Sequence, residues 1–262
     1  MSENTIDQIR VRSRRYVAEV ARDHDGIRAS QALRYRVFAE EMGAHLHSLA
    51  EGLDYDHIDD YCDHLLVRET GTGRVVACTR LLSDTQAAKL GHFYSEGEFR
   101  LENVLALPGR FLEIGRTCVD PAHRGSVVLG TLWNGLAEYV YRGGFNYLMG
   151  CASISPGPNG FAVDAVYRQI EAHQFGPAHL AVAPLKSVPA WRRCVTDESG
   201  IPPLLQAYLR LGCWVCGEPF WDEDFNVMDV FILLDLTRLH DRYEKRFIAT
   251  KAAESYAERP PC

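Results

Sequence analysis

The sequence predicts an α/β fold, one sheet of mixed direction flanked by helices. Three observations carry this. Two short apolar segments, 64–68 and 74–82, are joined by Thr70-Gly-Thr-Gly73, a hairpin signal. Residues 110–151 read strand, helix, strand, the pattern of a crossover unit. Residues 227–236 are almost wholly apolar and suit a strand buried on both faces. Hairpins and a crossover in one chain require a mixed sheet with helices on both sides.

In order along the chain, residues 16–21 suit a first strand. Residues 25–42 suit a helix: Ala29, Leu33 and Val37 recur at i, i+4 and i+8, beside a stripe of Arg34, Phe38 and Met42. Gly43 is the expected stop. Residues 51–61 form a strongly acidic loop before the hairpin. Residues 110–119 read as a strand, 126–141 as a helix rich in Leu, Val and Trp, and 145–151 as an apolar strand after Gly143 and Gly144. Residues 159–173 suit a helix, and 202–211 a short one opened by Pro202 and closed by Gly212. A charged helix is expected over 237–247. Residues 1–15 read as an N-terminal arm, 16–249 as a single domain and 250–262 as a small, polar, flexible tail.

Composition narrows the function classes. The 262 residues include 28 Lys+Arg and 35 Asp+Glu, a formal net charge of −7, with 47% hydrophobic and 24% charged residues. That excludes disordered, collagen-like and coiled-coil classes. The acidic balance disfavours a broadly basic nucleic-acid binder, so no nucleic-acid partner is expected. The first residues lack the basic start and apolar run of a signal peptide, and no stretch of about 18 uncharged apolar residues suggests a membrane span. The eight cysteines without an export signal fit a reducing cytoplasm and read as mostly buried free thiols.

The densest chemical signal is Val119-Asp-Pro-Ala-His-Arg-Gly125, between the central strand and a helix start. The first helical amides lack intrahelical acceptors and can face phosphate oxygens, with Arg124 adding charge and Gly125 close approach. A solvated arginine beside a turn glycine is the alternative.

This segment resembles the acyl-donor loop of GNAT-type N-acyltransferases, which implies that Val119, Arg124, Gly125 and Ser126 hold the phosphopantetheine of a thioester. It departs from the usual acetyl-coenzyme A pattern, because Ser126-Val-Val-Leu-Gly130 follows in place of further close glycines. A wider set resembles the acyl-homoserine-lactone synthase branch of that fold: Leu33-Arg-Tyr-Arg-Val-Phe-Ala-Glu-Glu41, Asp56-x-x-Asp59, Cys62-Asp-His-Leu-Leu-Val67, Thr79-Arg-Leu-Leu82 and Glu113-x-x-Arg116. The chain has Gly115-Arg-Thr117 where those synthases carry Ser-Arg-Phe, and it is longer. It continues with Pro202-Pro-Leu-Leu-x-x-Tyr-Leu-Arg-Leu-Gly212, Gly217-Glu-Pro219 and Asp222-x-Asp-Phe225. Those features resemble the ornithine-acyl-carrier-protein N-acyltransferases that make lyso-ornithine lipid. The resemblance spans roughly residues 16–236. It implies a GNAT-like mixed sheet close to the acyl-homoserine-lactone synthase variant. It implies a 3-hydroxyacyl donor on acyl carrier protein, ornithine as acceptor, and no cofactor or metal.

Amide formation from a thioester requires a neutral amine, a donor for the developing oxyanion, and positioning of both reactants. Glu113 is the candidate proton acceptor, directly or through water, and also a candidate positioner. Its apolar setting raises its pKa and Arg116 lowers it, with the winner open. Glu113 and Arg116 have opposite parity on a regular strand, so they share a site only if a bulge intervenes, for which Gly115 is the natural place. A structural salt bridge is the alternative. Asp54, Asp56, Asp59, Asp60 and Asp63 lie in a stretch with no Lys or Arg between Glu41 and Val67. The resemblance implies that Asp56 and Asp59 bind the side-chain ammonium of ornithine and Arg80 its carboxylate, with Asp222 and Asp224 as further candidates; a solvated loop is the alternative. Arg34 and Phe38 share a helix face. Arg34 is a candidate bridge to the acidic cluster, and Phe38 either a pocket roof or core.

Arg124, Arg142, Lys186, Arg192 and Arg193 are the available pieces of a basic patch for acyl carrier protein. Cys213-Trp-Val-Cys216 has redox-motif spacing without a second pair, and His45, His47, His57 and His64 match no metal motif. Leu132, Trp133, Leu136 and Val140 read as core, with an acyl-tunnel wall as the alternative. A long-chain product implies peripheral contact with the inner membrane face, and a second O-acyltransferase as pathway partner. The other readings are an S-adenosylmethionine-using acyl-homoserine-lactone synthase and a non-catalytic binder of acyl carrier protein.

Overall fold

Apolar alternation builds a nine-stranded sheet in the computed structural model, which describes residues 9–48, 50–195 and 200–238. The elements are β1 (Arg10–Arg12), β2 (Tyr16–Val20), α1 (His24–Tyr35), β3 (Asp63–Glu69), β4 (Val75–Ser83), α2 (Asp84–Leu90), β5 (Phe99–Arg100) and α3 (Glu102–Leu105). There follow β6 (Phe111–Val119), α4 (Ser126–Gly143), β7 (Tyr147–Ile154), α5 (Val163–Gln169), β8 (Ala183–Pro184), α6 (Pro203–Leu211), β9 (Trp214–Val215), β10 (Phe220–Asp222) and β11 (Val227–Asp235). The sheet order is β1-β2-β3-β4-β6-β7-β11-β10, with β9 also on β11, while β5 and β8 pair separately. The pair β6–β7 is parallel, joined by α4 as the crossover helix; its neighbours in the sheet are antiparallel.

Strand parity sets the layers. Leu65 and Val67 of β3 pack with Val128, Leu132 and Leu136 of α4, whereas Leu66 packs with Leu33 and Val37 of α1 on the other face. Leu132 and Leu136 are thus core. Asp23 caps α1 by accepting from Gly26 N at 2.7 Å.

Several boundaries differ from the sequence expectation. Residues 10–12, assigned to the arm, form an edge strand paired with β2, and Ile9 is fully buried. The expected helix over 25–42 is α-helical only to Tyr35. A π-helical turn covers Arg36–Glu41, with Met42 N donating to Val37 O at 3.1 Å, and Gly43 (φ 74°) ends it. One extra residue in a turn rotates the downstream chain by about 100°, and such turns gather at functional sites. The strand expected at 145–151 runs to Ile154, because its ladder with β11 continues to Met228. The helix expected over 159–173 shortens to α5, since Phe161 bonds through its backbone to Arg192 and Cys194 instead. Residues 236–238 form a single helical turn; the rest of the expected 237–247 helix and the 250–262 tail lie outside the described residues.

The feature that positions the site is a parting of strands. β6 and β7 pair only from Phe111–Tyr147 to Glu113–Met149. Beyond that, β6 stays on β4 and β7 on β11, and a wedge opens between them. The β4–β6 register shifts between Cys78 and Arg80, and Arg116 adopts φ 50°. This is the expected bulge, located one residue past Gly115. At the start of the wedge, a Cβ on Gly150 would overlap the Ile114 carbonyl oxygen. Gly150→Ala is therefore expected to destabilise by about 1–3 kcal/mol and to depress activity further, as checked by urea unfolding beside turnover.

Candidate active site

The wedge forms a cleft of about 620 Å³. Residues 114–119 of β6 and 151–153 of β7 line it, with Phe38 on one side and Leu204 and Tyr208 of α6 on another. Glu113, Arg116, Phe38, Arg80 and Asp222 all line it, as do Val119, Arg124, Gly125 and Ser126. The bulge brings Glu113 and Arg116 to one site. Phe38 meets Phe225 edge-on at 5.7 Å and lines the cleft while also packing against the core cluster of Leu33, Val37 and Cys118, so it is both wall and core. Leu129 of α4 also lines the cleft, so the helix contributes both core and wall.

At the end of the cleft beside the start of α4, Asp120 fixes the turn. It accepts from Ala122 N at 3.0 Å and pairs with Arg74 at 2.6 Å and His123 at 3.1 Å. Gly125 precedes α4, whose start carries no side-chain cap and faces the cleft through Ser126. Arg124 pairs with Glu41 at 2.6 Å.

The acidic loop is compensated from outside itself. Arg34 of α1 donates to Asp54 at 2.9 Å and through two nitrogens to Asp59 at 2.8 Å, also bonding the Asp54 carbonyl. Arg80 of β4 donates to both oxygens of Asp56 at 2.8 and 2.9 Å. Arg116 of β6 lies 3.3 Å from Asp54 and 4.0 Å from Asp56. Three arginines thus interlock with three aspartates. Burial alone would raise both carboxyls, but Arg80 beside Asp56 and Arg34 beside Asp59 outweigh it. Both are held below the ordinary carboxylate range, Asp59 at about 2. These aspartates are occupied by arginines, and Arg34, Asp56 and Asp59 stand behind the cleft wall rather than in it. Asp224 is half-exposed and pairs with His47 at 3.2 Å; it does not itself line the cleft.

Glu113 is buried and both its oxygens accept: Oε2 from Tyr94 N at 2.6 Å, Oε1 from Ser95 N at 2.8 Å and from the Ser95 hydroxyl. Burial pushes its carboxyl upward, only partly offset by these donors. It therefore caps the helical turn Tyr94–Gly97, and that turn presents Tyr94 and Glu98 to the cleft. Tyr94 in turn receives the guanidinium of Arg116 over its ring at 5.2 Å.

Two acidic residues of the cleft escaped the sequence reading, Glu98 and Asp229. Asp229 carries a readable signal: it is the lone carboxyl inside an otherwise apolar, buried strand segment, a costly placement without a purpose. Glu98, in a polar turn, carries none. Burial pushes the Glu98 carboxyl well above its usual range, and Asp229 adds to this. Burial pushes Asp229 up to about 7, partly offset by the Ser153 hydroxyl at 2.6 Å. The folded state therefore keeps a proton that the unfolded chain loses near pH 4. Stability is expected to fall between about pH 4 and pH 7 and then level off. Asp229→Asn should flatten that slope and exceed wild-type stability above pH 7, as read by denaturant unfolding across pH.

The other candidates are structural. His64 is buried between Ser30 and Asp59, and burial lowers it to about 4. His57 lies beside His92. Cys213 and Cys216 belong to different core clusters, and burial pushes each thiol up to about 12.

Comparison with known proteins matches this architecture. Residues 33–134 fit the family described as Acetyltransferase (GNAT) domain. An L-ornithine N(alpha)-acyltransferase of Rhodobacter capsulatus is 36% identical over 245 residues, covering 88% of this chain and 93% of that protein. One of the same name from Brucella abortus is 34% identical over 241 residues, covering 86% and 85%. This chain belongs to the L-ornithine N(alpha)-acyltransferase family. Its GNAT-like fold is shared by two solved structures, the AHL synthase LasI (TM-score 0.50, 14% identity, covering 84% of this chain and 90% of that one) and the CoA-dependent acyl-homoserine lactone synthase BjaI (TM-score 0.50, 18% identity, 84% and 83%). At such identities they share the fold alone. The cleft between β6 and β7 is therefore the candidate active site of an L-ornithine N(alpha)-acyltransferase family member.

Proposed function

We propose that this protein transfers a 3-hydroxyacyl chain from acyl carrier protein to the α-amine of L-ornithine, forming lyso-ornithine lipid. The observation that carries the reading is its 36% identity, across most of both chains, to a protein of that name. The cleft supports it chemically. β6 parts from β7 beyond Glu113, and its freed backbone N–H groups supply donors to a thioester oxygen as it becomes negative. The uncapped start of α4, with Arg124 and Gly125, suits the phosphate of a phosphopantetheine arm. The thioester is already activated, so the amine attacks it directly, without a covalent enzyme intermediate.

Glu113 acts in this reading as a positioning residue, since both its oxygens hold the Tyr94–Gly97 turn. Asp56 and Asp59 act through Arg80 and Arg34, whose orientation they fix. Met42 and Leu204 are exposed apolar residues on the cleft lining and suit an acyl chain meeting a membrane surface. No helix among the described residues is long and apolar enough to cross a membrane.

The deciding experiment incubates the purified protein with 3-hydroxyacyl-acyl carrier protein and ornithine, lysine, glycine or S-adenosylmethionine. Carrier-thiol release and product mass are read together. Ornithine-dependent release with an N-acylornithine mass is the expected result. Release with S-adenosylmethionine alone, or no acceptor-dependent release, would overturn the reading.

A further inference from the structure

Three carboxyls meet in the cleft wall. Oxygens of Glu98, Asp222 at the end of β10, and Asp229 of β11 all lie within 4.8 Å of one another. A second observation gives this trio meaning. Glu98 is only 5% exposed and lines the cleft; Cys151 and Tyr94 donate to its carboxyl, yet its Oε2 has no hydrogen-bond partner among the described residues. A buried carboxyl oxygen without a donor is costly, and it marks where a ligand's N–H would fit.

We propose that Glu98, Asp222 and Asp229 form the acceptor's cation subsite, which holds the two ammonium groups of a diamino acid. In this assignment Glu98 takes the proton that frees the attacking amine. It rests on the acyl-transfer reading, and deepens it.

Charge complementarity supports it. An α-amino acid with a second ammonium brings two positive groups and one carboxylate. Of the carboxyls and guanidiniums lining the cleft, Glu113 is taken up by Tyr94 and Ser95, Arg80 by Asp56 and Arg124 by Glu41, which leaves Glu98, Asp222 and Asp229 together with Arg116. Arg116 shares its charge with Asp54 and also acts electrostatically on Asp222 and Asp229. The carboxylate of the acceptor goes to Arg116 and its ammonium groups to the trio. The surroundings fit proton storage. Tyr94 and Cys151 flank Glu98, Ser153 donates to Asp229, and burial raises all three carboxyls. A cation entering the trio favours their ionised forms and so makes a base available when substrate is bound.

The step balances. Glu98 accepts one proton from the ammonium. The neutral nitrogen forms the C–N bond, the tetrahedral intermediate breaks its C–S bond, and the second nitrogen proton leaves with the thiolate as the free thiol. Neither oxidant nor reductant is involved.

The test compares ornithine with norvaline, which has the same carbon skeleton but lacks the second ammonium, using 3-hydroxyacyl-acyl carrier protein as donor. Wild type should prefer ornithine strongly in kcat/KM. Asp222→Asn and Asp229→Asn should each cut that preference at least about tenfold, with KM for the donor unchanged. Glu98→Gln should lower kcat and remove the acidic limb of the pH–rate profile; the groups facing Glu98 there are Asp229, Cys151, Tyr94 and Asp222, with Arg116 acting on the two aspartates. Asp222 is half-buried, so its variant reads the subsite even if the Glu98 variant folds poorly. Unchanged ornithine preference in folded variants would overturn the assignment alone. Activity abolished by EDTA and restored by a divalent cation would overturn it in favour of a metal site. A wild-type protein inert toward ornithine would overturn the acyl-transfer reading together with it.

Discussion

Arg34→Met is expected to lower the unfolding free energy by about 3–5 kcal/mol, a fall in Tm of roughly 10 °C for a domain of this size. Arg34 is 1% exposed and is the direct partner of Asp54 and Asp59, both nearly as buried. Methionine fills much of the volume but returns no hydrogen bond. Two carboxylates are then left in the interior with less compensation, and part of the cost is met by protonating them. The loss should therefore shrink at low pH. Asp59 is held near 2 by its arginine, so its contribution is present above pH 4 and is lost as pH falls toward 2. Urea unfolding of both proteins at about pH 2.5 and at pH 7, on either side of the window between the folded and unfolded values of Asp59, checks this. Equal losses at the two values would contradict the ion-pair account and leave only packing.

Glu113→Gln is expected to reduce kcat/KM by about a hundredfold, the scale of an ångström-sized misplacement in an active site. Either orientation of the amide turns an N–H₂ toward a backbone N–H of Tyr94 or Ser95, where the carboxylate now accepts. The turn carrying Tyr94 and Glu98 loosens, with a stability cost of about 1–3 kcal/mol for the unsatisfied donor. A positioning role predicts that the acidic limb of the pH–rate profile survives in the variant while KM for ornithine rises. Loss of that limb with KM unchanged would make Glu113 the proton acceptor instead.

Much of this site was legible in the chain. The strand–turn–helix at 110–143, its Arg-Gly turn and the need for a bulge between Glu113 and Arg116 all follow from periodicity and turn chemistry, which act over a few residues. The partnership of Arg34 with the acidic loop was also readable, because a run of aspartates without its own cation must find one elsewhere. That Asp56 is held by Arg80 was not readable. Whether a charge faces a ligand or another charge depends on which strands become neighbours, and Arg80 and Asp56 meet only when β4 takes its place beside the loop.

Fold class, family and the turn before α4 are written in local hydrophobic patterning and short motifs, so the chain alone specifies them. Which carboxyls enter the cleft is settled at a higher level. Glu98, Asp222 and Asp229 come from segments far apart in the chain, and their proximity arises from β10 and β11 folding back beside β7. Burial then raises their proton affinity, a property of the assembled low-dielectric cleft that no single segment possesses.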